Sequence, residues 1–304
     1  MNLSLKTHEK CQSLIDEMML PSNFMNIVDS IYSPLMELIL NGKQQDSIFV
    51  SINGAQGTGK STLCYFLKHL IESESAMHVA AISIDDFYLT RAQRKQLAID
   101  VHPLFQTRGV PGTHDTGLMV NSISSLLEGK TCSIPTFNKA IDDRAEKNNW
   151  IEYNTERNRP VEIILFEGWC NNSPYQADDE LVTPINELEE QEDTEGIWRT
   201  YANEQLKNYH KEVFSQTDMS IMLKAPSFEH IFEWRSLQEE KLKKSTAKNS
   251  QSKLMSAKEI KRFIQHYERI SRHTLSHLPQ AVDVVLPISS DHSIKNIIEN
   301  THAR

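Results

Sequence analysis

Cysteine is scarce in this sequence, and none of the four cysteines stands in a Cys-x-x-Cys pair. They are Cys11, Cys64, Cys132 and Cys170. Isolated cysteines of this kind favour free thiols in a reducing compartment over structural disulfides.

Long apolar runs are also absent. No stretch approaches the roughly 18–20 apolar residues that a membrane-spanning helix needs. Charged side chains interrupt residues 1–20, which leaves no apolar core for a signal peptide. These charges are Lys6, Glu9, Lys10, Asp16 and Glu17. We therefore expect a cytoplasmic protein that does not engage a membrane.

A surplus of positive charge is lacking as well, because the formal net charge is -9 at pH 7. Proteins that bind nucleic acid through its phosphates carry a basic surplus, so this partner is not expected. A local positive pocket for phosphates remains compatible with the charge. The 304 residues, 39% hydrophobic and 24% charged, predict an ordinary globular protein with a core of useful size.

Short apolar runs alternate with helix-forming stretches along most of the chain. The runs that we predict as strands are residues 48–52, 78–84, 161–166, 220–223 and 282–286. Strands that alternate with helices predict βαβ units, and hence an α/β fold with a mainly parallel sheet.

Three segments lie outside this alternation. Residues 1–45 carry apolar side chains at helical spacing, which predicts an N-terminal helical extension before a domain of residues 46–304. Residues 178–195 hold nine acidic side chains and are predicted to form an exposed insertion. Residues 234–262 are rich in lysine and arginine and are predicted to form a helical lid.

The strongest motif is Gly54-Ala55-Gln56-Gly57-Thr58-Gly59-Lys60-Ser61, which matches the pattern G-x-x-x-x-G-K-[ST] in full. An apolar run precedes the motif and a helix-forming run follows it. Its glycines allow backbone N–H groups to converge on one anion, which the N-terminus of the next helix also faces. Lys60 can reach the β- and γ-phosphates, and the Ser61 hydroxyl suits a Mg²⁺ ligand.

The motif predicts a P-loop NTPase-type three-layer domain that binds ATP and Mg²⁺. The residues predicted to bind the nucleotide are Gly54, Ala55, Gln56, Gly57, Thr58, Gly59, Lys60, Ser61 and Thr62. GTP specificity is not supported, because a guanine reader of the form Asn-Lys-x-Asp is missing. The nearest match, Asn138-Lys139-Ala140-Ile141-Asp142, places its aspartate one residue too late.

Two carboxylates follow predicted strands. The carboxyl ends of parallel strands open onto the ligand crevice, so we predict that Asp85 orients an acceptor hydroxyl and takes its proton. Glu167 follows the strand of residues 161–166 and resembles the acidic position that holds Mg²⁺, here together with Ser61. We interpret Asp86 as a structural cap.

Several polar side chains could contact the substrate. Arginine offers a planar fork for a carboxylate or phosphate, although a single surface cation is more often a salt-bridge partner. The predicted substrate-binding residues are Tyr88, Arg108, His114, Lys139 and Arg144. Arg235, in the predicted lid, could close over the transferring phosphoryl group and, with Lys60, stabilise its charge.

In their order, these motifs resemble the D-glycerate 3-kinase family of P-loop kinases. They are Gly54–Ser61, Ser83–Tyr88, Arg108–Asp115, Ile134–Lys139, Asp143–Arg144, Phe166–Trp169 and Trp234–Arg235. The chain is similar more distantly to uridine kinase, phosphoribulokinase and pantothenate kinase. The resemblance implies MgATP-dependent phosphorylation of the 3-hydroxyl of D-glycerate, with Asp85 as the catalytic base.

Two features depart from that family. A glycine-rich stretch before a Gly-Asp-Arg is common there, whereas this chain reads Ile141-Asp142-Asp143-Arg144, and the acidic segment of residues 178–195 is unusual. A small anionic metabolite is the expected partner. A nucleoside or pantothenate acceptor, and a non-catalytic ATP-binding regulator, stay open as alternatives. The sequence predicts no particular oligomeric state.

Overall fold

A computed structural model of the chain describes residues 3–43, 46–154, 160–246 and 256–300. In these ranges the α-helices are α1 (Leu5–Glu17), α2 (Met25–Ile27), α3 (Ser33–Gly42), α4 (Lys60–Glu74), α5 (Arg91–Asp100), α6 (Thr116–Leu127), α7 (Glu187–Glu192), α8 (Ile197–Glu212), α9 (Phe228–Thr246) and α10 (Ala257–His277). The strands are β1 (Ile48–Gly54), β2 (Val79–Ser83), β3 (Cys132–Ile134), β4 (Phe137–Asn138), β5 (Asp143–Arg144), β6 (Ile151–Tyr153), β7 (Ile163–Gly168), β8 (Met219–Lys224), β9 (Val284–Pro287) and β10 (Ile298–Glu299).

The main sheet has the strand order β10-β9-β8-β1-β7-β2. The central strand β1 pairs in parallel with β7 and β8, and β2 and β9 extend this parallel arrangement on either side. β10 joins the edge antiparallel to β9. Because the inner strands run in one direction, the residues that end β1, β2 and β7, namely Gly54, Ser83 and Gly168, lie at the same edge of the sheet.

Side chains of the inner strands alternate between two apolar layers. In β1, Val50 and Ile52 pack against α1, α3 and α4, while Phe49 packs on the opposite face with residues of α6 and α8. Both faces of β1 are buried, as is typical of parallel strands covered by helices on each side. The predicted three-layer α/β class with a mainly parallel sheet is confirmed.

The five strands predicted from apolar runs are present, with shifts at their ends. β1, for example, continues past residue 52 to Gly54, which pairs with Leu223 of β8. The sequence did not reveal the small antiparallel pairs β3–β6 and β4–β5, because two or three residues are too few to show a period. The β4–β5 hairpin carries Lys139 at its turn.

Seven of the nine acidic residues in the segment 178–195 are exposed, whereas Glu189 and Asp193 are buried. That the segment is an insertion stays a prediction. Glu189 in α7 is fully buried and accepts hydrogen bonds from Arg269 of α10 at 2.8 and 2.6 Å. Asp193 is buried too, and it accepts a hydrogen bond from Arg199 of α8 at 2.8 Å. Buried carboxylates need such partners. Composition alone cannot reveal the partners, because Arg269 lies 80 residues further along the chain.

The segment predicted as a lid corresponds to parts of α9 and α10, which pack against each other. Residues 247–255, in its middle, lie outside the described residues. Ser256 caps the start of α10 with a capping box, since its hydroxyl accepts from the Glu259 amide at 3.3 Å and its own amide donates to the Glu259 carboxylate at 2.7 Å. Over the part of the chain that the structure describes, we find no helix that is both long and apolar enough to cross a membrane.

Replacing Glu189 with glutamine should lower the free energy of unfolding by about 3 kcal/mol, because Arg269 would stay buried without a counter-charge. Urea denaturation measures this change. Glu187→Gln on the same helix is the matched control, since Glu187 pairs with Lys261 at the surface. The control should change stability far less. Equal losses in the two variants would show that the buried pair is not special.

Candidate active site

A cavity of about 500 Å³ opens at the edge of the sheet where β1, β2 and β7 end. Its walls come from the loop before α4, the segments after β2 and β7, and helices α9 and α10. The lining residues are Gln56, Gly57, Lys60, Ser61, Asp85, Tyr88, Arg108, Lys139, Glu167, Gly168, Trp169, Arg235, Phe263 and Tyr267.

The predicted phosphate loop connects β1 to α4. Gly57 and Gly59 have φ angles of 82° and 87°, in the left-handed region that glycine adopts without strain. The Lys60 ammonium donates to the Ala55 carbonyl at 3.0 Å and folds over the loop. The loop therefore brings backbone amides, a lysine and the N-terminus of α4 to one wall of the cavity, an arrangement that fits a phosphate chain.

The residues predicted to bind the nucleotide divide into two groups. Gln56, Gly57, Lys60 and Ser61 line the cavity itself. The others do not line the cavity and lie at the end of β1, in the same loop or in the first turn of α4. They are Gly54, Ala55, Thr58, Gly59 and Thr62.

Ser61 and Glu167 meet on the cavity wall. The Ser61 hydroxyl donates to Glu167 Oε1 at 2.9 Å, which joins the phosphate loop to the end of β7. A hydroxyl and a carboxylate are oxygen donors of the kind that Mg²⁺ uses beside nucleotide phosphates. The donor set therefore fits Mg²⁺, and these two residues could hold it.

Asp85 lies in a 3-10 turn (Ile84–Phe87) that follows β2, and its side chain is about one-third exposed. Its Oδ1 accepts a hydrogen bond from the Tyr88 hydroxyl at 2.9 Å, and its Oδ2 from the Lys139 ammonium at 2.8 Å. Burial acts to raise the pKa of Asp85, but Lys139 and Tyr88 outweigh it, so the pKa lies below the ordinary value. Asp85 is therefore ionised at neutral pH.

Asp86 is not among the residues that line the cavity, and it accepts a hydrogen bond from the Phe137 amide at 3.2 Å. Burial, with the nearby charges of Asp85 and Glu167, raises the pKa of Asp86 to about 6. This contact anchors β4, whose hairpin carries Lys139. Asp86 is thus a structural residue, but not the cap that the sequence predicts, because Thr90 caps the helix that follows.

Arg108 lines the cavity with its charge already paired. Its guanidinium contacts the Asp142 carboxylate and lies over the Phe137 ring, 5.3 Å from the ring centroid. Asp142 also pairs with the fully buried Arg94 at 3.0 Å. Arg108 is thus fixed at the cavity wall by a network that the sequence did not reveal.

His114 and Arg144 do not line the cavity, and their interpretation as donors to an anionic substrate needs correction. His114 is 4% exposed and stacks on Tyr88. Burial lowers the pKa of His114 to about 4, so its ring carries no charge at neutral pH. Arg144 donates to the Tyr88 carbonyl at 2.9 Å and to the Asp115 carboxylate at 3.1 Å. Both residues contact Tyr88 instead, because the packing around this tyrosine buries them.

Arg235 lies in α9 and lines the cavity. Its guanidinium lies 5.7 Å from the centroid of the Phe263 ring, which belongs to α10. Arg235 thus joins Lys60, Arg108 and Lys139 as a cation of the cavity lining. Closure of Arg235 over a phosphoryl group stays a prediction.

Aromatic side chains complete the cavity lining, and the sequence motifs assign no role to them. They are Trp169, Phe263 and Tyr267. Trp169 and Tyr267 contact edge to face with ring centroids 4.8 Å apart, and Phe263 lies beside Tyr267. The Trp169 indole N–H donates to the Gly109 carbonyl at 2.9 Å. The helical period of α10 could predict that Tyr267 is buried, but not that it packs beside Trp169.

A sequence model described as the KAP family P-loop domain matches residues 28–299. The uncharacterized kinase mug58 of Schizosaccharomyces pombe is 30% identical over 229 residues, which are 72% of this chain and 77% of that protein.

Two further similarities involve D-glycerate 3-kinases. The chloroplastic enzyme of Arabidopsis thaliana is 28% identical over 207 residues, which are 64% of this chain and 41% of the plant protein. The solved structure of D-glycerate 3-kinase from Cryptococcus neoformans has a TM-score of 0.72 at 19% identity, and the match covers 88% of this chain and 99% of that one. The second similarity shows a shared fold. The relatives include D-glycerate 3-kinases, as the order of the motifs predicts.

Replacing Gly109 with alanine should destabilise the protein by about 2 kcal/mol, through backbone strain and overpacking. The φ angle of Gly109 is 141°, and an added Cβ would lie 2.2 Å from the Tyr267 hydroxyl oxygen. Urea denaturation measures the loss. The matched control is Gly117→Ala, where the nearest atom would lie 3.9 Å away, and it should not lower stability. A Gly109→Ala variant as stable as the control would contradict this packing.

Proposed function

Because the chain belongs to the KAP family of P-loop domains and its relatives include kinases, we propose that it transfers a phosphoryl group from ATP to the 3-hydroxyl of D-glycerate. One observation carries the proposal. The phosphate loop and the ionised Asp85 line the same cavity of about 500 Å³, which is open to small molecules. A carboxylate facing a phosphate site is what transfer to an alcohol requires.

The nucleotide would occupy the wall formed by the loop before α4. The amides of residues 57–61 and the Lys60 ammonium would bind the β- and γ-phosphates. Ser61 and Glu167 would hold Mg²⁺, which offsets phosphate charge when it is bound. Arg235 approaches from α9 and would add positive charge near the transferring group. Positioning and electrostatics of this kind supply most of the rate gain in phosphoryl transfer.

Asp85 would orient the acceptor hydroxyl toward the γ-phosphorus. Its lowered pKa makes it a weak base, so it does not remove the proton before the phosphoryl group moves. Phosphoryl transfer passes through a loose transition state in which the alcohol becomes acidic late. An ionised carboxylate that accepts the hydroxyl hydrogen bond throughout, and the proton at the end, suits this reaction.

The acceptor's own carboxylate would meet Lys139 and Arg108. Both side chains line the cavity near Asp85, and the Lys139 side chain is 62% exposed, so its ammonium can contact a second anion. An uncharged nucleoside would bring no carboxylate to these cations. The aromatic wall of Trp169, Phe263 and Tyr267 could nevertheless stack a base, and this keeps a nucleoside acceptor as the second candidate.

A panel of acceptors with MgATP tests the proposal. We expect D-glycerate to be phosphorylated at its 3-hydroxyl, and uridine and pantothenate to react far more slowly. A coupled assay for ADP measures the rate, and NMR of the product identifies the phosphorylated oxygen. Phosphorylation of uridine but not of glycerate would overturn the assignment of D-glycerate as the acceptor, but not the proposed phosphoryl transfer. No transfer to any acceptor, with tight ATP binding retained, would favour a regulator.

The role of Asp85 is tested in the same assay. Asp85→Asn should lower kcat by about 100-fold or more, because the amide cannot take the proton. ATP affinity, measured by calorimetry, should hardly change, since the phosphate loop is intact. Asp100→Asn is a matched control in an exposed contact with Gln96, and it should keep full turnover. Wild-type turnover in Asp85→Asn would remove this residue from the mechanism.

Lys139 should set the acid limb of the pH–rate profile. Asp85 must be ionised, so activity is lost as pH falls through its pKa, which Lys139 holds below the ordinary value. Lys139→Met removes the charge and the hydrogen bond that lower the pKa of Asp85, and it leaves burial, which raises this pKa. The pKa of Asp85 should then rise, and the acid limb of log kcat against pH should move to higher pH.

Lys147→Met is the control for this shift. Lys147 lies over the Trp150 ring at 5.9 Å and is not among the residues that line the cavity. Its replacement should leave the acid limb in place. An unchanged acid limb in Lys139→Met would mean that the ion pair does not govern the ionisation of Asp85.

A further inference from the structure

His114 is a buried titratable group that the proposed chemistry leaves unused. Its ring stacks on the Tyr88 ring with centroids 4.6 Å apart and an interplanar angle of 21°. Tyr88 is 3% exposed, and its hydroxyl donates to Asp85. One stacked histidine therefore lies directly behind the side chain that holds the carboxylate of the cavity.

The backbone explains why these rings meet. Tyr88 and His114 form an antiparallel bridge. It is flanked by hydrogen bonds from the Leu89 amide to the Thr113 carbonyl at 2.8 Å and from the Asp115 amide to the Phe87 carbonyl at 2.7 Å. Residues opposite each other between such bonds form a non-hydrogen-bonded pair, whose side chains lie close on one face.

The His114 ring is itself fixed from behind. Its Nδ1 lies 2.9 Å from the Tyr209 hydroxyl, which accepts a hydrogen bond from the Gly112 amide at 2.9 Å. If the Tyr209 hydroxyl donates to Nδ1, its single hydrogen is used, and Nε2 carries the histidine proton. The other tautomer would leave both that hydroxyl hydrogen and the Nε2 lone pair without partners, so the first arrangement satisfies more groups.

The Tyr88 ring is bounded on a second side by Phe137, with centroids 5.2 Å apart and an interplanar angle of 73°. Stacking on His114 and the edge contact with Phe137 together restrict the phenol ring. The Tyr88 hydroxyl then reaches Asp85 Oδ1 at 2.9 Å. A contact path thus runs from Tyr209 through His114 and Tyr88 to Asp85.

We propose that His114 is a positioning residue, whose neutral ring holds the Tyr88 ring so that the Tyr88 hydroxyl keeps Asp85 oriented toward the acceptor. This inference rests on the proposed function, because it assigns Asp85 to the acceptor hydroxyl. His114 acts through stacking, and its contact with Tyr209 sets the ring's angle. It does not contact the substrate, since it is buried outside the cavity lining.

The local backbone should survive changes at His114. Arg144 holds the Tyr88 carbonyl, and the two backbone hydrogen bonds of the bridge do not depend on the histidine side chain. His114→Ala should therefore free the Tyr88 ring while the turn that carries Asp85 stays folded. His114→Phe keeps a ring against Tyr88 and loses only the contact with Tyr209.

A double-mutant cycle tests the proposal, with His114→Ala, Tyr88→Phe and the double variant. His114→Ala should lower kcat about tenfold, the worth of a hydrogen bond to a charged group, with KM for ATP unchanged. His114→Phe should restore most of kcat even if it unfolds at lower urea concentration. In the Tyr88→Phe background, His114→Ala should change kcat by less than about twofold, because the two residues act along one path.

Additive losses in the cycle, or a His114→Phe variant as slow as His114→Ala, would overturn the proposal. Crystal structures of the two His114 variants provide a readout that needs no acceptor. The Tyr88–Asp85 hydrogen bond should be lost in His114→Ala and kept in His114→Phe. The same bond intact in His114→Ala would refute the positioning role, whatever acceptor the wild-type protein uses. A wild-type protein inactive toward glycerate would refute only the acceptor assignment, and the cycle would then use the acceptor that reacts.

Discussion

The candidate site depends on the hydrogen bonds that Lys139 and Tyr88 donate to the Asp85 carboxylate. Parallel pairing places the end of β2 beside the ends of β7 and β1, so the turn that carries Asp85 opens onto the phosphate loop. Burial alone would favour the protonated acid, and the two donors reverse that preference. The cavity therefore has a cationic wall at Lys60 and an ionised acceptor of hydrogen bonds within one small volume.

Contacts outside the cavity hold the elements that supply its lining residues. Helix α10 supplies Tyr267, and the same helix is held to α7 by the buried pair of Arg269 and Glu189. The β4–β5 hairpin supplies Lys139, and the contact between Asp86 and the Phe137 amide ties this hairpin to the end of β2. Both of these walls are thus anchored by a polar contact outside the cavity, and such contacts are strong where water is excluded.

The sequence was most informative where one short segment carries both the chemistry and its structural context. The phosphate loop could be recognised because its glycines, Lys60 and Ser61 fall in one short motif between a strand and a helix. Asp85 and Glu167 could be located because strand ends converge in a parallel sheet. The burial of His114 and Glu189 could not be predicted, since it depends on their partners Tyr209 and Arg269, which lie 95 and 80 residues away along the chain. The hairpins beside the cavity were too short to show a period.

The central claim is that an acceptor hydroxyl binds between Asp85 and the phosphates held by the loop before α4. A crystal structure with Mg²⁺, a non-hydrolysable ATP analogue and D-glycerate tests this claim most directly. We expect the 3-hydroxyl oxygen to lie about 2.6–3.2 Å from an Asp85 carboxylate oxygen and in line with the γ-phosphorus. Glycerate bound away from Asp85, or triphosphate bound away from Lys60 and Ser61, would contradict it.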